Sequence, residues 1–254
     1  MKLKDKVAVV TGAGRNIGES IVKLFAAEGA KIGVVDMDEG RGQRVVDEIK
    51  KAGHEAVLVI CDVSKSSDVR EMVKKIVGQF GGIDILVNNA AITDHKNILD
   101  ISEEEFDQVI GVTLKGPFLV AKYVAEQMVK QGRGGKIVNI ASTSGLQGRT
   151  DAVAYSAAKG GVLNLSRAMA VQLAPYKIRV NCVTPNRSGS PVGQDEGVVG
   201  REFKNLAGRL GNPEDQARAV FFLASDDSDF VWGANLICDG GVTAASNFPR
   251  DIRR

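Results

Sequence analysis

The chain has 254 residues, of which 44% are hydrophobic and 25% charged, with 33 Lys and Arg against 31 Asp and Glu. This length suits one large α/β domain or two small ones, and a net charge of only +2 excludes the basic footprint of a nucleic-acid-binding protein. No apolar stretch reaches the length of a membrane helix, and the N-terminus lacks a secretory core with a cleavage site, so we expect no membrane partner.

Short apolar runs alternate with longer amphipathic segments along almost the whole chain. Continuous runs of Val, Ile and Leu are typical of parallel strands that helices cover on both faces. In chain order, the predicted strands are 7–11, 32–36, 56–61, 85–88, 136–141, 178–183 and 235–238, and the predicted helices are 17–29, 40–52, 67–81, 102–131, 152–174 and 213–225. This alternation predicts a doubly wound α/β fold with a mainly parallel seven-stranded sheet, in one domain over residues 1–254.

The regular alternation stops between Pro185 and Gly211, where Gly, Ser and charged residues dominate. A long irregular segment in a compact domain is often a binding loop, so we predict a substrate loop at about 186–211.

Cysteine usage bears on compartment and metal binding. Cys61, Cys182 and Cys238 are odd in number and widely spaced, which disfavours both a disulfide framework and a zinc site. We therefore expect a cytoplasmic protein that binds no metal.

A glycine-rich turn, TGAGRNIG at residues 11–18, joins the first predicted strand to the first helix. Small residues there let backbone N–H groups and the positive helix end approach a pyrophosphate. The second strand ends about 20 residues later in Asp36, whose carboxylate can bond both hydroxyls of an adenosine ribose. That carboxylate would repel a 2′-phosphate, so the sequence favours NAD over NADP, although Arg15 could meet such a phosphate.

Tyr155 and Lys159 lie four residues apart in predicted helix 152–174, so they project from one face. An ammonium beside a phenol favours the phenolate, so we expect Lys159 to lower the pKa of Tyr155 from its usual value of about 10. Tyr155 could then act as an acid or base near neutral pH, and Ser142 could hold a substrate oxygen.

With these features in order, the chain resembles the short-chain dehydrogenase/reductase family over essentially its whole length. The resemblance rests on the turn at 11–18, Asp62-Val63, Asn88-Asn89-Ala90, the run from Ile137 to Ser142, Tyr155-x-x-x-Lys159, the run from Ile178 through Asn181 to Pro185, and Asp239-Gly240-Gly241. It implies a Rossmann fold, NAD(P)-dependent interconversion of an alcohol and a carbonyl, and a homotetramer or dimer assembled through helices 102–131 and 152–174.

Carried over by position, the resemblance makes Tyr155 the general acid/base. Lys159 would bind the nicotinamide ribose and lower the Tyr155 pKa, and Ser142 would steady the substrate oxygen. The cofactor-binding residues implied in this way are Gly12, Arg15, Asn16, Ile17, Gly18, Asp36, Asp62, Val63, Asn88, Asn89, Ala90, Tyr155, Lys159, Pro185 and Ser188.

The chain departs from the family pattern at three places. Asn16 stands where the turn usually has glycine, and asparagine tolerates left-handed backbone better than most residues. Thr113 stands where an asparagine anchors a proton-relay water, and its hydroxyl could hold that water. Asn186, Arg187 and Ser188 stand where glycine and apolar residues are usual, so we expect a polar pocket floor.

The segments expected to face the substrate, 93–96, 144–151 and 186–205, are polar, and Phe203 is their one aromatic residue. The substrate-binding residues expected there are His95, Ser144, Gln147, Arg149 and Arg187, with Lys96 and Arg201 nearby. A hydrophobic substrate would need more apolar lining, so a small polar or anionic molecule is favoured: a sugar, polyol or hydroxy acid.

We therefore predict an enzyme that transfers a hydride between NAD(H) and a polar secondary alcohol or carbonyl compound. Two alternatives stay open. An NADPH-dependent 3-oxoacyl thioester reductase is disfavoured by Asp36, and a catalytically silent NAD-binding sensor or scaffold is permitted by the departures at Asn16, Thr113 and Asn186.

Overall fold

The computed structural model describes residues 1–192 and 205–245. The strands are β1 Val7–Thr11, β2 Lys31–Asp36, β3 Ala56–Ile60, β4 Ile85–Asn88, β5 Gly135–Ile140, β6 Ile178–Pro185 and β7 Asn235–Cys238. The α-helices of these residues are α1 Asn16–Ala27, α2 Glu39–Lys51, α3 Ser66–Phe80, α4 Glu103–Ile110, α5 Gly116–Gln131, α6 Val153–Leu173 and α7 Pro213–Ala224. Apart from segment 102–131, every predicted element ends within two residues of the observed one.

Segment 102–131 is two helices rather than the single helix predicted. A π-helical turn, Gly111–Lys115, separates α4 from α5. Pro117 has no N–H to donate to the carbonyl four residues earlier, which breaks the α-helical ladder there. Ser102 caps α4 reciprocally with Glu105, as each backbone N–H donates to the other's side chain at 3.2 Å.

The seven strands form one sheet in the order β3-β2-β1-β4-β5-β6-β7, and every pairing is parallel. The chain runs outward in one direction from β1 and in the other from β4. The crevice beyond the carboxyl ends of these two strands is where open α/β sheets bind ligands. This arrangement confirms the doubly wound Rossmann-type fold.

Two hydrophobic layers cover the two faces of the sheet. Phe25 of α1 and Val220 of α7 pack on one face, with Val10 of β1. Met72 of α3 and Met128 of α5 pack on the other face, together with the residues that alternate with Val10 along β1. Among the described helices, none is both long enough and apolar enough to cross a bilayer.

Candidate active site

The glycine-rich turn is packed so closely that side chains would not fit. Gly12 has φ +62°, and a Cβ on it would lie 2.9 Å from the Cα of Ala90. A Cβ on Gly18 would lie 2.2 Å from the Gly12 carbonyl oxygen. The Asn89 amide nitrogen donates to that same oxygen at 2.9 Å. The ends of β1 and β4 are thus bound together, and the turn presents bare backbone to the crevice.

Asp36 lies at the end of β2, directly against this turn. Its carboxylate accepts hydrogen bonds from the backbone N–H of Gly14 at 2.8 Å and of Asp38 at 3.0 Å. Two arginines of α2, which were not identified from the sequence, also contact this region. Arg41 lies 3.9 Å from the carboxylate, and Arg44 donates to the Gly14 carbonyl oxygen at 3.1 Å. Bare glycine backbone next to a carboxylate fits the pyrophosphate and adenosine ribose of a dinucleotide.

Asn16 joins the turn to the segment that follows β6. Its backbone has φ +50°, which asparagine tolerates. Its amide oxygen accepts from the Ser190 backbone N–H at 3.1 Å, and its amide nitrogen donates to the Ser190 hydroxyl. The sequence predicted a polar group near the phosphates but not this link between two loops.

The other predicted cofactor residues lie on the same edge of the sheet or in its cavity. Asp62 and Val63 follow β3, where the Asp62 carboxylate accepts from the Ser64 backbone N–H at 3.0 Å. Arg15 directly precedes α1. Ile17, Pro185 and Ser188 line the cavity described below.

Tyr155 and Lys159 are both buried on α6, with 6% and 3% of their surfaces exposed. The Lys159 ammonium lies 5.6 Å from the centre of the Tyr155 ring and donates to the Ile140 carbonyl oxygen at 2.6 Å. Tyr155 and Ser142 line one cavity. The helical spacing therefore brings the lysine to the tyrosine, as predicted.

The predicted lowering of the Tyr155 pKa is wrong for this structure. Burial of the phenol raises its pKa, which outweighs the nearby Ser142 hydroxyl and the charge of Arg149, both of which lower it. Burial also lowers the pKa of Lys159 from 10.5 to about 8, because an ammonium out of water loses its hydration. Lys159 is therefore only partly charged near pH 8, which weakens the effect that the spacing predicted.

Asp94 fixes the start of the helix that carries Tyr155. Ala152, the residue before α6, has φ +62° and no side chain that could cap the helix. The buried Asp94 carboxylate takes that role, because it accepts from the backbone N–H groups of Tyr155 at 2.9 Å and Ala154 at 3.3 Å. The sequence placed Asp94 only in a substrate-facing segment, and no local pattern pointed to this contact.

Thr113 is fully buried in the π-helical turn. Its hydroxyl donates to the Ile92 carbonyl oxygen at 2.8 Å and accepts from the Ile92 backbone N–H at 3.1 Å. The single hydroxyl proton of Thr113 is thus already donated to the segment that follows β4. The role of Thr113 in a proton relay stays a prediction.

A cavity of about 1010 Å³ opens beside Tyr155. All five predicted substrate-binding residues line it: His95, Ser144, Gln147, Arg149 and Arg187. The Asp151 carboxylate lies 2.9 Å from the Arg149 guanidinium and 3.9 Å from the His95 imidazole. Lys96 is exposed. Arg201, Phe203 and the middle of the predicted substrate loop, 193–204, lie outside the described residues.

Within residues 1–192 and 205–245, no three His, Cys, Asp or Glu side chains are grouped so that they could hold a metal ion.

Comparison with known proteins places these features in one family. Residues 12–243 match the family described as enoyl-(acyl carrier protein) reductase. An uncharacterized oxidoreductase of Thermotoga maritima is 42% identical over 96% of this chain and 100% of its own length. Similar solved structures include a short-chain type dehydrogenase/reductase from Mycobacterium marinum, at 35% identity and a TM-score of 0.88 over 96% of this chain and 97% of that one. A 3-ketoacyl-(acyl-carrier-protein) reductase from Brucella melitensis, complexed with NADH, has 36% identity and a TM-score of 0.86 over 94% of this chain and 98% of that one.

Proposed function

We propose that this chain, which belongs to the short-chain dehydrogenase/reductase family of oxidoreductases, transfers a hydride between NAD(H) and a polar secondary alcohol or carbonyl compound. The observation that carries the proposal is the buried Tyr155 on the cavity wall, with Ser142 on the same wall and Lys159 behind the ring. In this proposal the whole chain is one dinucleotide-binding and catalytic domain, and the loop at about 186–211 contacts the substrate.

Tyr155 transfers the substrate proton in both the oxidation and the reduction. In oxidation, the ionised Tyr155 takes the proton of the substrate hydroxyl while the Ser142 hydroxyl holds the substrate oxygen. In reduction, the neutral phenol returns that proton to the carbonyl oxygen. Lys159, when protonated, favours the phenolate by its charge. The bound nicotinamide supplies the hydride acceptor or donor. Because burial raises the pKa of the phenol, oxidation should speed up as the pH rises.

The preference for NAD is supported by Asp36. Its carboxylate is held against the turn by the Gly14 N–H, at the strand end where the adenosine ribose is expected. A 2′-phosphate there would meet a like charge at close range. Arg41 lies 3.9 Å from the Asp36 carboxylate and offsets part of its charge. The preference for NAD therefore rests on the negative charge of Asp36 that remains.

One other reaction has specific support. A 3-oxoacyl thioester reductase is favoured by the 36% identity to the Brucella melitensis reductase, which has that type of activity in its name. The polar cavity lining and Asp36 weigh against an acyl thioester and NADPH. We therefore keep this reaction as the second candidate.

A substrate panel tests the proposal. Purified protein is assayed with sugars, polyols, hydroxy acids and secondary alcohols, each with NAD and NADP, by following nicotinamide absorbance. Turnover of a polar alcohol with NAD supports the proposal. Higher kcat/KM for a 3-oxoacyl thioester with NADPH would establish the second candidate, and no turnover of any alcohol or carbonyl compound would favour a sensor or scaffold.

Assembly and compartment belong to the same proposal. Phe118 of α5 and Val171 of α6 are 45% and 77% exposed, and apolar surface on these helices is what a partner subunit of a homotetramer or dimer would cover. Light scattering after size-exclusion chromatography tests this. The three cysteines are unpaired, which suits the reducing cytoplasm.

A further inference from the structure

Asn186 has one end of its side-chain amide fixed and the other end free. The residue is partly buried and directly follows the last residue of β6. The Thr143 hydroxyl donates to its amide oxygen at 3.3 Å. The amide nitrogen carries two donor hydrogens, and within residues 1–192 and 205–245 it has no hydrogen-bond partner. An amide held in this way presents a donor at a fixed position.

The backbone of Asn186 is also held in place. Its carbonyl oxygen accepts from the Ser188 hydroxyl at 2.7 Å. That hydroxyl in turn accepts from the buried Gln216 amide nitrogen at 3.0 Å, and the Gln216 nitrogen also donates to the Cys238 carbonyl oxygen at 2.9 Å. A donor fixed at both its backbone and its side chain loses little conformational entropy when a ligand binds.

The free amide nitrogen belongs to the cavity of the proposed active site. Asn186, Thr143, Ser142 and Tyr155 all line it. Thr143 directly follows Ser142, so the residue that orients the amide adjoins the residue expected to hold the reacting oxygen. Asn186 and the two residues expected to hold the reacting oxygen, Ser142 and Tyr155, therefore face one cavity.

We propose that Asn186 determines specificity by donating a hydrogen bond to a second oxygen on the carbon next to the reacting one. The substrate class is then a vicinal diol, and the product is the corresponding α-hydroxy ketone. Oxidation moves the hydride of the reacting C–H bond to NAD⁺ and the proton of its hydroxyl to Tyr155, leaving a carbonyl and NADH. This inference rests on the proposed function and refines its substrate.

Around Asp151, the charge of the cavity wall favours a neutral diol over a hydroxy acid. The Arg149 guanidinium, on the loop before α6, lies 2.9 Å from the Asp151 carboxylate, and the His95 imidazole, on the loop after β4, lies 3.9 Å from the same carboxylate. An anionic substrate would have to approach that carboxylate as well. A hydroxyl group has no such cost and can accept the hydrogen bond that Asn186 offers.

The test uses a matched pair of substrates, 2,3-butanediol and 2-butanol, with NAD. A site with a fixed donor rejects the analogue that lacks the acceptor, because the donor is then left unpaired. For one partly buried amide we expect the wild-type kcat/KM to favour the diol by roughly 10–100-fold. Asn186→Leu, which keeps the approximate shape without the donors, should bring that ratio close to one, chiefly through the KM of the diol.

Two further variants keep the test independent of one substitution. Asn186→Ala also removes both donors, so the ratio should fall as well. Thr143→Val frees the amide to rotate and should give an intermediate ratio. Equal ratios in the wild type and both Asn186 variants, or no preference in the wild type, would overturn the role of Asn186 and leave hydride transfer standing. No turnover of any alcohol or carbonyl compound would overturn both.

Discussion

Removing the Asp94 carboxylate tests whether the active site depends on a cap supplied from outside helix α6. In Asp94→Ala, the backbone N–H groups of Tyr155 and Ala154 lose their acceptor at a buried helix start. A hydrogen bond to a charged group contributes roughly 1.5–3 kcal/mol, and loss of a helix cap costs about 1 kcal/mol. Since the Ala154 bond is long at 3.3 Å, we expect a loss of about 2–4 kcal/mol in the free energy of unfolding.

The same change should impair turnover more than cofactor binding. Tyr155 is the third residue of α6, so a frayed first turn displaces the phenol directly. A displacement on the order of 1 Å from the reactive position can lower kcat by about 10²-fold. Urea unfolding gives the stability, steady-state kinetics give kcat and KM, and NADH fluorescence titration reports cofactor affinity.

Asp100→Ala is the matched control, because Asp100 is an exposed acid on the same connection. Among the described residues, its side chain bonds only to the nearby Asn97 side chain. Asp94→Asn keeps one acceptor for the Tyr155 N–H and should recover part of the lost turnover. If Asp94→Ala unfolds and turns over like Asp100→Ala, the cap does not position Tyr155 and the reasoning fails.

Three other predictions follow from the same contacts. Because the pKa of Lys159 is about 8 in the folded chain instead of 10.5, burying this residue lowers the free energy of unfolding by up to about 3 kcal/mol below pH 8. This loss becomes smaller as the pH rises toward 10.5, where the unfolded chain also loses the proton. Lys159→Met should therefore raise the free energy of unfolding at pH 7 by about 2 kcal/mol, once the loss of one hydrogen bond is subtracted, and it should abolish turnover. Urea unfolding at pH 7 and pH 10 should show that this gain in stability is smaller at pH 10. Asp36→Ser should raise the affinity for NADPH relative to NADH by about fivefold or more, since a like-charge clash of at least about 1 kcal/mol is removed, and an unchanged ratio in fluorescence titrations would refute the role of Asp36. Asn16→Gly keeps the left-handed backbone but loses both bonds to Ser190, so limited trypsin digestion should cleave faster after Arg187 and the substrate KM should rise about fivefold; wild-type digestion would argue against the link.

The fold was predictable because buried parallel strands read as continuous apolar runs and the turn residues mark their ends. The exception, segment 102–131, kept one amphipathic pattern across the π-helical turn at Gly111–Lys115. The pattern of apolar residues does not predict which backbone hydrogen bonds form next to Pro117. Its missing N–H is the local cause.

The candidate site was predictable where its residues share one element. Tyr155 and Lys159 lie on one helix, and their spacing predicted the contact correctly. Contacts made by chain crossing were not predictable, because Asp94 meets Tyr155 across 61 positions and Asn16 meets Ser190 across 174. The sign of the Tyr155 pKa shift was wrong for a related reason, since burial depends on the packing of several elements.

The central claim is that the Tyr155 hydroxyl carries the substrate proton, and Tyr155→Phe tests it most directly. The variant keeps the buried ring and removes only the hydroxyl. With a polar alcohol that the wild type oxidises, kcat should fall by about 10²–10⁴-fold, while NADH affinity from fluorescence titration stays at the wild-type value. Wild-type turnover by Tyr155→Phe, with the fold intact by circular dichroism, would contradict the account.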